Sequence, residues 1–340
     1  MASLTIPTYK GRPGWEFTDV SSLDLAAFEA APVTRSGGSP LWELPEPALP
    51  AGVSVEVSDD QTVVTVARGV AVEEPISLSA VVPAGKFATQ RTVVRVEDGA
   101  QAEVWEQLLS EEGGVLNVVT ELKVGDNAHL RYVNGQGLAE DTWIFGLQKA
   151  AVGRDGSLDW VALGFGSTRG HVRMETRLEG QGSSARVTGA YASHGRQHID
   201  FDTTQEHAAE NTVSDLAFRG VLTDRSTGVW KGNIIVDPGA QKTDAFQESR
   251  NLLLSKRAHA DAIPGLEIQA NDVRCTHAAA VAQVDPEQLF YLESRGLPES
   301  EAKRLVIEGF LEALVTRFEE GRVREVLSAA LEARLSAILG

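Results

Sequence analysis

The sequence predicts a mainly β protein: a parallel β-helix, or solenoid, with a short helical segment before it and a helical bundle after it. Three observations carry this. Between about 51 and 283 the chain is a succession of short valine- and threonine-rich runs, such as Val53-Ser-Val-Glu-Val57 and Thr62-Val-Val-Thr-Val66, bounded by Asp and Gly turns. Turn-forming residues recur at Gly99, Asn127, Gly156, Gly182, Asn211, Gly239 and Gly265, with steps of 28, 29, 26, 29, 28 and 26 residues. From 284 onward the texture changes to an apolar stripe of helical period.

Residues 1–50 form an N-terminal segment spotted with proline. One short amphipathic helix is expected there, capped by Ser21 or Ser22 and striped by Leu23, Leu25, Ala26 and Phe28. Pro40, Pro45, Pro47 and Pro50 then keep the connection extended. Residues 51–283 are the solenoid core. Glycine and asparagine tolerate positive φ, and the residue after each of the first six turns is small: Ala100, Ala128, Ser157, Ser183, Thr212 and Ala240. A strand-rich unit that cannot bury its own apolar face must stack on its neighbours, each coil adding about 4.8 Å along the axis. A β-sandwich would instead show strands at steps of roughly 8–12 residues without the longer beat.

Residues 284–340 form the helical domain. Asp285-Pro-Glu-Gln288 is a helix start, with aspartate as N-cap, proline at the first position and Gln288 placed to return the capping bond. Gly296 ends this helix. A second helix from about Glu299 is striped by Ala302, Leu305, Val306, Phe310, Ala313, Leu314 and Phe318, and Gly321 ends it. A third carries Val323, Val326, Leu327, Ala330, Leu331, Leu335 and Ile338. The bundle is expected to cap one end of the solenoid, because solenoid ends need covering.

Charge and composition exclude several classes. Forty-eight acidic residues against 31 basic ones give a net charge of −17, which repels phosphate backbones and anionic lipid surfaces. A single cysteine excludes an internal disulfide, zinc-ribbon spacings and an iron–sulfur cluster held by four cysteines of one chain. Met1 to Lys10 has neither a basic start nor a signal-length apolar stretch, and no run has the length of a membrane span, so a cytoplasmic protein is expected.

Enzyme motifs are sparse. There is no phosphate loop and no nucleophile elbow, and the stretch from Gly164 to Gly170 has one residue too many for a dinucleotide fingerprint. His194 and His198 are four apart, but Gly195 and the β setting oppose a helix, and a solvated surface is the preferred reading over a metal pair. Asp200, Asp202, Glu206, His207 and Glu210 read as a solvated acidic face with a satisfied histidine. Cys275 and His277 are more suggestive. They lie two apart in strand texture, so their side chains share one face. Such a pair is an activated nucleophile, half of a soft-metal site, or a buried thiol beside a bonded histidine. As a metal site it lacks ligands, which another chain would have to supply.

These residues, with their neighbours, resemble the SufB/SufD family of iron–sulfur cluster assembly scaffolds, and its SufD branch most. The resemblance rests on Pro238-Gly-Ala-Gln-Lys-Thr-Asp-Ala-Phe-Gln247, Asn251-Leu-Leu-Leu-Ser255, Leu266-Glu-Ile-Gln-Ala270, Asp272-Val-Arg-Cys-Thr-His277 and Glu287-Gln-Leu-Phe-Tyr-Leu-Glu-Ser-Arg-Gly296. It runs almost continuously from about 198 to 318, and Trp15-Glu-Phe-Thr-Asp19 is similar to the family's tryptophan-led entry motif. Where the family has glycines after the histidine, this chain has Ala278-Ala-Ala-Val-Ala282.

The resemblance implies a right-handed parallel β-helix that is not an enzyme on its own. It implies pairing with a SufB-like paralogue through the β-helix ends, and docking of a SufC-like ATPase on the C-terminal helical region. It also implies a transient iron–sulfur cluster shared with the partner chain at His277, with Cys275 as a weaker second candidate. Gln288, Tyr291 and Arg295, spaced three and four apart on one helix face, are the expected ATPase contact, with Leu289 and Leu292 facing inward. The other reading of that face has Tyr291 packed on the solenoid end and Arg295 bonded to nearby carbonyls. Cluster nuclearity, self-pairing and a flavin in the complex are left open. Two other classes compete. A β-helix polysaccharide-active enzyme would need acidic and basic groups on one outer face, and a passive structural solenoid would have no use for the Cys275/His277 strand.

Overall fold

The computed structural model describes residues 14–43 and 49–339. Pro45 and Pro47, and residues 1–10, lie outside the described residues. From Gln61–Val66 onward, consecutive strands alternate between two sheets, and each pairs in parallel with the strand two places away in sequence. The first sheet runs Val53–Val57, Gln61–Val66, Lys86–Val96, Gly114–Val124, Thr142–Val152, Arg169–Leu178, His198–His207, Thr227–Val236 and His259–Ile268, with the two-residue strand Glu29–Ala30 beside Lys86–Val96. The second runs Ile76–Val82, Gln101–Ser110, His129–Gly137, Ser157–Gly164, Ser184–Ser193, Val213–Leu222, Asp244–Leu253 and Arg274–Gln283. This is the parallel β-solenoid expected from the period. Among the described residues the one antiparallel strand pair is the opening hairpin, Val53–Val57 with Gln61–Val66.

Identical registers stack like side chains into ladders. Val66, Val96, Val124, Val152, Leu178, His207 and Val236 are successive rungs of one inward-facing ladder, all buried. Opposite it, Ile76, Val104, Tyr132, Trp160, Val187, Leu216, Gln247 and His277 form another. The side chain at each rung, most often β-branched or aromatic, stacks on the rungs above and below, so neighbouring coils bury each other's apolar faces.

The recurrent turn is a left-handed corner. Gly99, Asn127, Asp155, Gly182, Asn211 and Lys242 have φ between 52° and 74°. Each donates its N–H, at 2.7–3.2 Å, to the carbonyl just before the equivalent corner of the next coil. Two of the turn residues read from the sequence are displaced, from Gly156 to Asp155 and from Gly239 to Lys242. Gly265 is no corner; it lies within His259–Ile268. The coils lengthen here, from 26 residues between Trp143 and Arg169 to 32 between Thr227 and His259, which carries a fixed beat out of phase.

The helices are α1 (Pro286–Ser294), α2 (Glu299–Val315) and α3 (Arg322–Leu339). Asp285 caps α1 by accepting from the Glu287 amide at 2.9 Å, and Gln288 turns to a cleft with α2 instead of returning the bond. The amides of Gly296 and Leu297 bond to the carbonyls of Glu293 and Leu292, a Schellman ending. Contrary to expectation, α2 and α3 do not cap an end. They lie along the outer face of the second sheet, where Val161, Leu163, Ala190, Ala192, Ala217 and Val221 meet Ile307, Leu311, Leu314, Phe318, Leu327 and Leu331. Small residues on the strands admit the helices, and Arg317 ties α2's end to Asp215 at 3.1 Å. This rotates the α2 stripe. Ile307, Leu311 and Val315 are buried, while Leu305 and Ala313 are exposed.

The N-terminal segment wraps the solenoid instead of forming an amphipathic helix. Among its described residues the one helical turn is a 3-10 turn, Leu25–Ala27, capped by Asp24 and not by Ser21 or Ser22. Trp15 packs on Phe145 of the first sheet, and Trp42 packs edge-on against Trp105 of the second. Gly135 makes room for Trp42, since a Cβ there would lie 2.4 Å from the indole.

The corner column makes a stability prediction. Lys242→Gly relieves a left-handed side chain and removes only an exposed ion pair with Asp272, so it is expected to stabilise by about 0.5–1 kcal/mol. Gly182→Ala puts a Cβ 2.2 Å from Asp155 at φ +74° and is expected to cost about 1–2 kcal/mol. Urea midpoints of the two variants should move in opposite directions.

Candidate functional site

The last strand, Arg274–Gln283, pairs on one side only, with Asp244–Leu253. Register assigns its faces. Cys275 sits over Ala245, His277 over Gln247, Ala279 over Ser249 and Val281 over Asn251, and those four partners are buried interior residues. Cys275 and His277 therefore both point along the interior ladders, on one face, as the two-residue spacing implied. Among the described residues no further coil lies over them, so His277 is exposed and Cys275 half-buried against Ala245, Val273 and Ala270.

The interior changes character toward this end. The middle rungs are Tyr132, Trp160, Val187 and Leu216; the final ones are Gln247 and His277, flanked by Ser249 and Asn251. Gln247 donates to the carbonyls of Gly232 and Gly265, at 3.3 and 3.1 Å, and Asn251 accepts from the Tyr191 hydroxyl. On the rim, Ile263, Ile268 and Val281 are each about 40% exposed. The open end is thus a polar mouth with an apolar rim and two unpaired strand edges. The sequence did not single out these three rim residues, since in a strand pattern they read as core.

Burial, and then the charge of Asp244, push the Cys275 thiol above its ordinary range, so it is protonated near neutral pH and is a poor nucleophile. Among the described residues no group of three or more His, Cys, Asp or Glu converges as metal ligands. His277 and Cys275 thus stand as two donor groups without a third beside them among the described residues.

On α1, Gln288, Tyr291 and Leu292 face Leu305, Val306 and Gly309 of α2 across an open groove of about 540 Å³. Arg295 lies over the Tyr291 ring at 5.1 Å rather than in the groove. Tyr291 is exposed and does not pack on the solenoid end, and its neighbour Phe290 is 72% exposed. The inward positions Leu289 and Leu292 are only half-buried, and α1 contributes no buried residue. Phe290 and Leu305 were not read as surface from the sequence, and an apolar residue beside a polar face gives no signal to do so.

The acidic stretch is a solvated face only in part: Glu210 is exposed and Glu206 half-buried, and His207 is satisfied as expected. Asp200, Asp202, His198 and His207 are buried. His207 bonds the hydroxyls of Thr212 and Ser214 within an aliphatic ladder, and burial pushes its imidazole down to about 4. His194 bonds Glu140 at a corner and His198 lies under the N-terminal segment, so the two do not converge. The outer face of the first sheet carries a groove of about 680 Å³ with acidic and basic groups, which pair with one another: Lys149 with Glu175, Arg177 with Glu206, Lys231 with Asp202.

Fold and end together define a class: a parallel β-solenoid with a lateral helical layer and one uncovered terminal coil. Residues 80–310 match the family model described as SUF system FeS cluster assembly, SufBD core domain. The chain is 34% identical over 284 residues to an iron–sulfur cluster assembly SufBD family protein of Mycobacterium bovis, covering 81% of this chain and 71% of that protein. It is 33% identical over 276 residues to the iron–sulfur cluster assembly protein SufD of Bacillus subtilis, covering 79% and 63%. Against SufD of Escherichia coli the identity is 32% over 160 residues, 47% of this chain and 38% of that protein. The chain belongs to the SufBD family and is SufD-like, which supports a role in iron–sulfur cluster assembly. No helix among the described residues is long and apolar enough to cross a membrane.

The thiol's environment predicts its reactivity. Cys275 is expected to alkylate with iodoacetamide at pH 7.5 several-fold more slowly than a free thiol peptide, and Asp244→Asn should speed it by removing a charge that opposes the thiolate. Timed mass spectrometry of the modified protein measures both rates.

Proposed function

We propose that this chain is a cytoplasmic, non-enzymatic scaffold subunit of a SUF-type assembly complex. Its open C-terminal coil receives a SufB-like paralogue, and its α1–α2 face receives a SufC-like ATPase. The observation that carries the reading is an exposed histidine on the last rung of an interior ladder, at the one uncovered end of the solenoid. Backbone edges and the rim residues Ile263, Ile268 and Val281 supply the material of an interface there.

The chemistry assigned to His277 is ligation or orientation of the nascent cluster, which is the cargo. A neutral imidazole is a competent iron ligand, and histidine in place of thiolate raises a cluster's potential, which suits a site that must release what it holds. Cys275, held protonated and half-buried, ranks below it, so the thiolate ligands come from the paralogue. At α1, Tyr291 with Arg295 stacked on it and Phe290 beside it presents aromatic surface and a cation together, the composition of interface anchors.

Two experiments test the two faces separately. In a complex reconstituted anaerobically with iron and sulfide, His277→Ala is expected to abolish the visible absorbance of the cluster while leaving folding and ATPase docking intact, and Cys275→Ala to be milder. Cluster build-up at the wild-type rate in His277→Ala would make the histidine structural. Tyr291→Ala combined with Arg295→Ala is expected to weaken ATPase binding at least tenfold by calorimetry, with unchanged circular dichroism. An unchanged affinity moves the dock elsewhere.

A further inference from the structure

The N-terminal segment covers a buried ionisable cluster that neither the solenoid nor the assembly role accounts for. From 14 to 28 it crosses the outer face of the first sheet, over Val115, Trp143 and Phe145. Its backbone bonds there are local turns, such as Leu23 to Val20 and Phe28 to Leu25, and strand pairing with the solenoid begins only at Glu29. What fastens it is side-chain contact. Trp15 lies on the His171 ring at 4.5 Å. The Thr18 hydroxyl donates to Asp200 at 2.6 Å, and Asp200 also bonds His171 Nδ1 at 2.8 Å. With its hydrogen given to Asp200, Thr18 Oγ1 is left to accept from His198 Nε2 at 3.3 Å. Arg169 closes the arrangement by donating to the Asp19 carbonyl.

We propose that this segment is a pH-sensitive strap, held over an apolar face by a neutral His198 and released when that histidine takes a proton. Docked, His198 is buried, so a proton there is a desolvated cation, and it also lies beside the half-buried guanidinium of Arg169. His171 on the same strand as Arg169 opposes it as well, while Asp200 and Asp19 favour the charge. Further along the same face, Asp202 lies opposite Arg173 in register and near Lys231, and Glu16 of the strap faces Lys231. Burial outweighs the carboxylates and holds the docked imidazole below its ordinary range.

The sign follows from linkage. Released, the ring is solvated and titrates near ~6.5, so the released state binds the proton more readily. Docking therefore weakens as pH falls below that range, by up to about tenfold per pH unit for one proton, and the effect levels off below the docked value. Release exposes Trp143, Phe145 and Val115, an apolar face that a partner chain can use.

Amide hydrogen exchange of residues 14–30 in the full chain at pH 7.5 and 5.5 tests this, with intrinsic chemical rates divided out and Gly114–Val124 as internal reference. The wild-type segment is expected to lose protection several-fold, up to about tenfold, at pH 5.5 while the reference strand keeps its own. His198→Gln retains a donor for Thr18 but takes no proton, and it should flatten the response. Equal wild-type protection at the two pH values overturns the proposal, as does an undiminished loss in His198→Gln. If His198→Gln does not fold, Arg169→Gln decides: it lets the docked ring accept a proton, so the loss must shrink, and an unchanged loss overturns the proposal.

Discussion

A parallel solenoid cannot close on itself. Each coil satisfies the backbone and the apolar face of the next, so stacking leaves two ends at which strand edges and interior side chains meet water. Much of this molecule is arranged around that constraint. At the first end, the chain folds back as the antiparallel hairpin Val53–Val57 and Gln61–Val66. Arg35 lies over it, donating to the carbonyls of Ser79 and Ser58. Beneath Arg35, Gln90, Thr92 and the buried Glu106 form a bonded network with Tyr132, and burial keeps the Glu106 carboxyl above its ordinary range. At the last end no such closure exists. Two ten-residue strands end the stack, with His277 on the final rung.

The sides of the stack, in contrast, are covered. The α2–α3 layer buries the outer face of the second sheet, and the N-terminal segment buries part of the first, so central strands such as Ser157–Gly164 are buried on both faces. Buried polar links fix the helical layer. Arg334 donates to the Ala192 carbonyl, with burial lowering its guanidinium to about 10. A rigid stack with one open end concentrates its interaction potential there, and the polar turn of the interior at Gln247, Ser249 and Asn251 suits an end that meets other polar matter.

Much of this was legible in the sequence, for physical reasons. A coil must return to the same corner to pair, so the corner residues recur, and Gly99, Asn127, Gly182 and Asn211 are left-handed as read. Lys242 escaped because lysine does not announce positive φ, and Asp155 because the glycine beside it, Gly156, is the stronger turn signal. The shared face of Cys275 and His277 follows from strand geometry alone. The lateral seat of α2 and α3 did not follow, because a 3.6-residue stripe says that a helix packs but not against what. Leu305 fits the period and is exposed all the same. The burial of Asp200 and His198 was missed because alternating polar residues on a strand read as solvent-facing. Only a covering segment distant in sequence, 182 residues away for Thr18 and Asp200, reverses that.

The central claim is that the uncovered C-terminal coil is the end at which another chain adds. Amide hydrogen exchange of the full chain, free and with a SufB-like paralogue bound, tests it most directly. Addition at this end gives new protection in His259–Ile268 and Arg274–Gln283 on binding, with none in the hairpin Val53–Val57 and Gln61–Val66. Protection that appears at the hairpin, or a complex that forms with the last two strands unchanged, would contradict it.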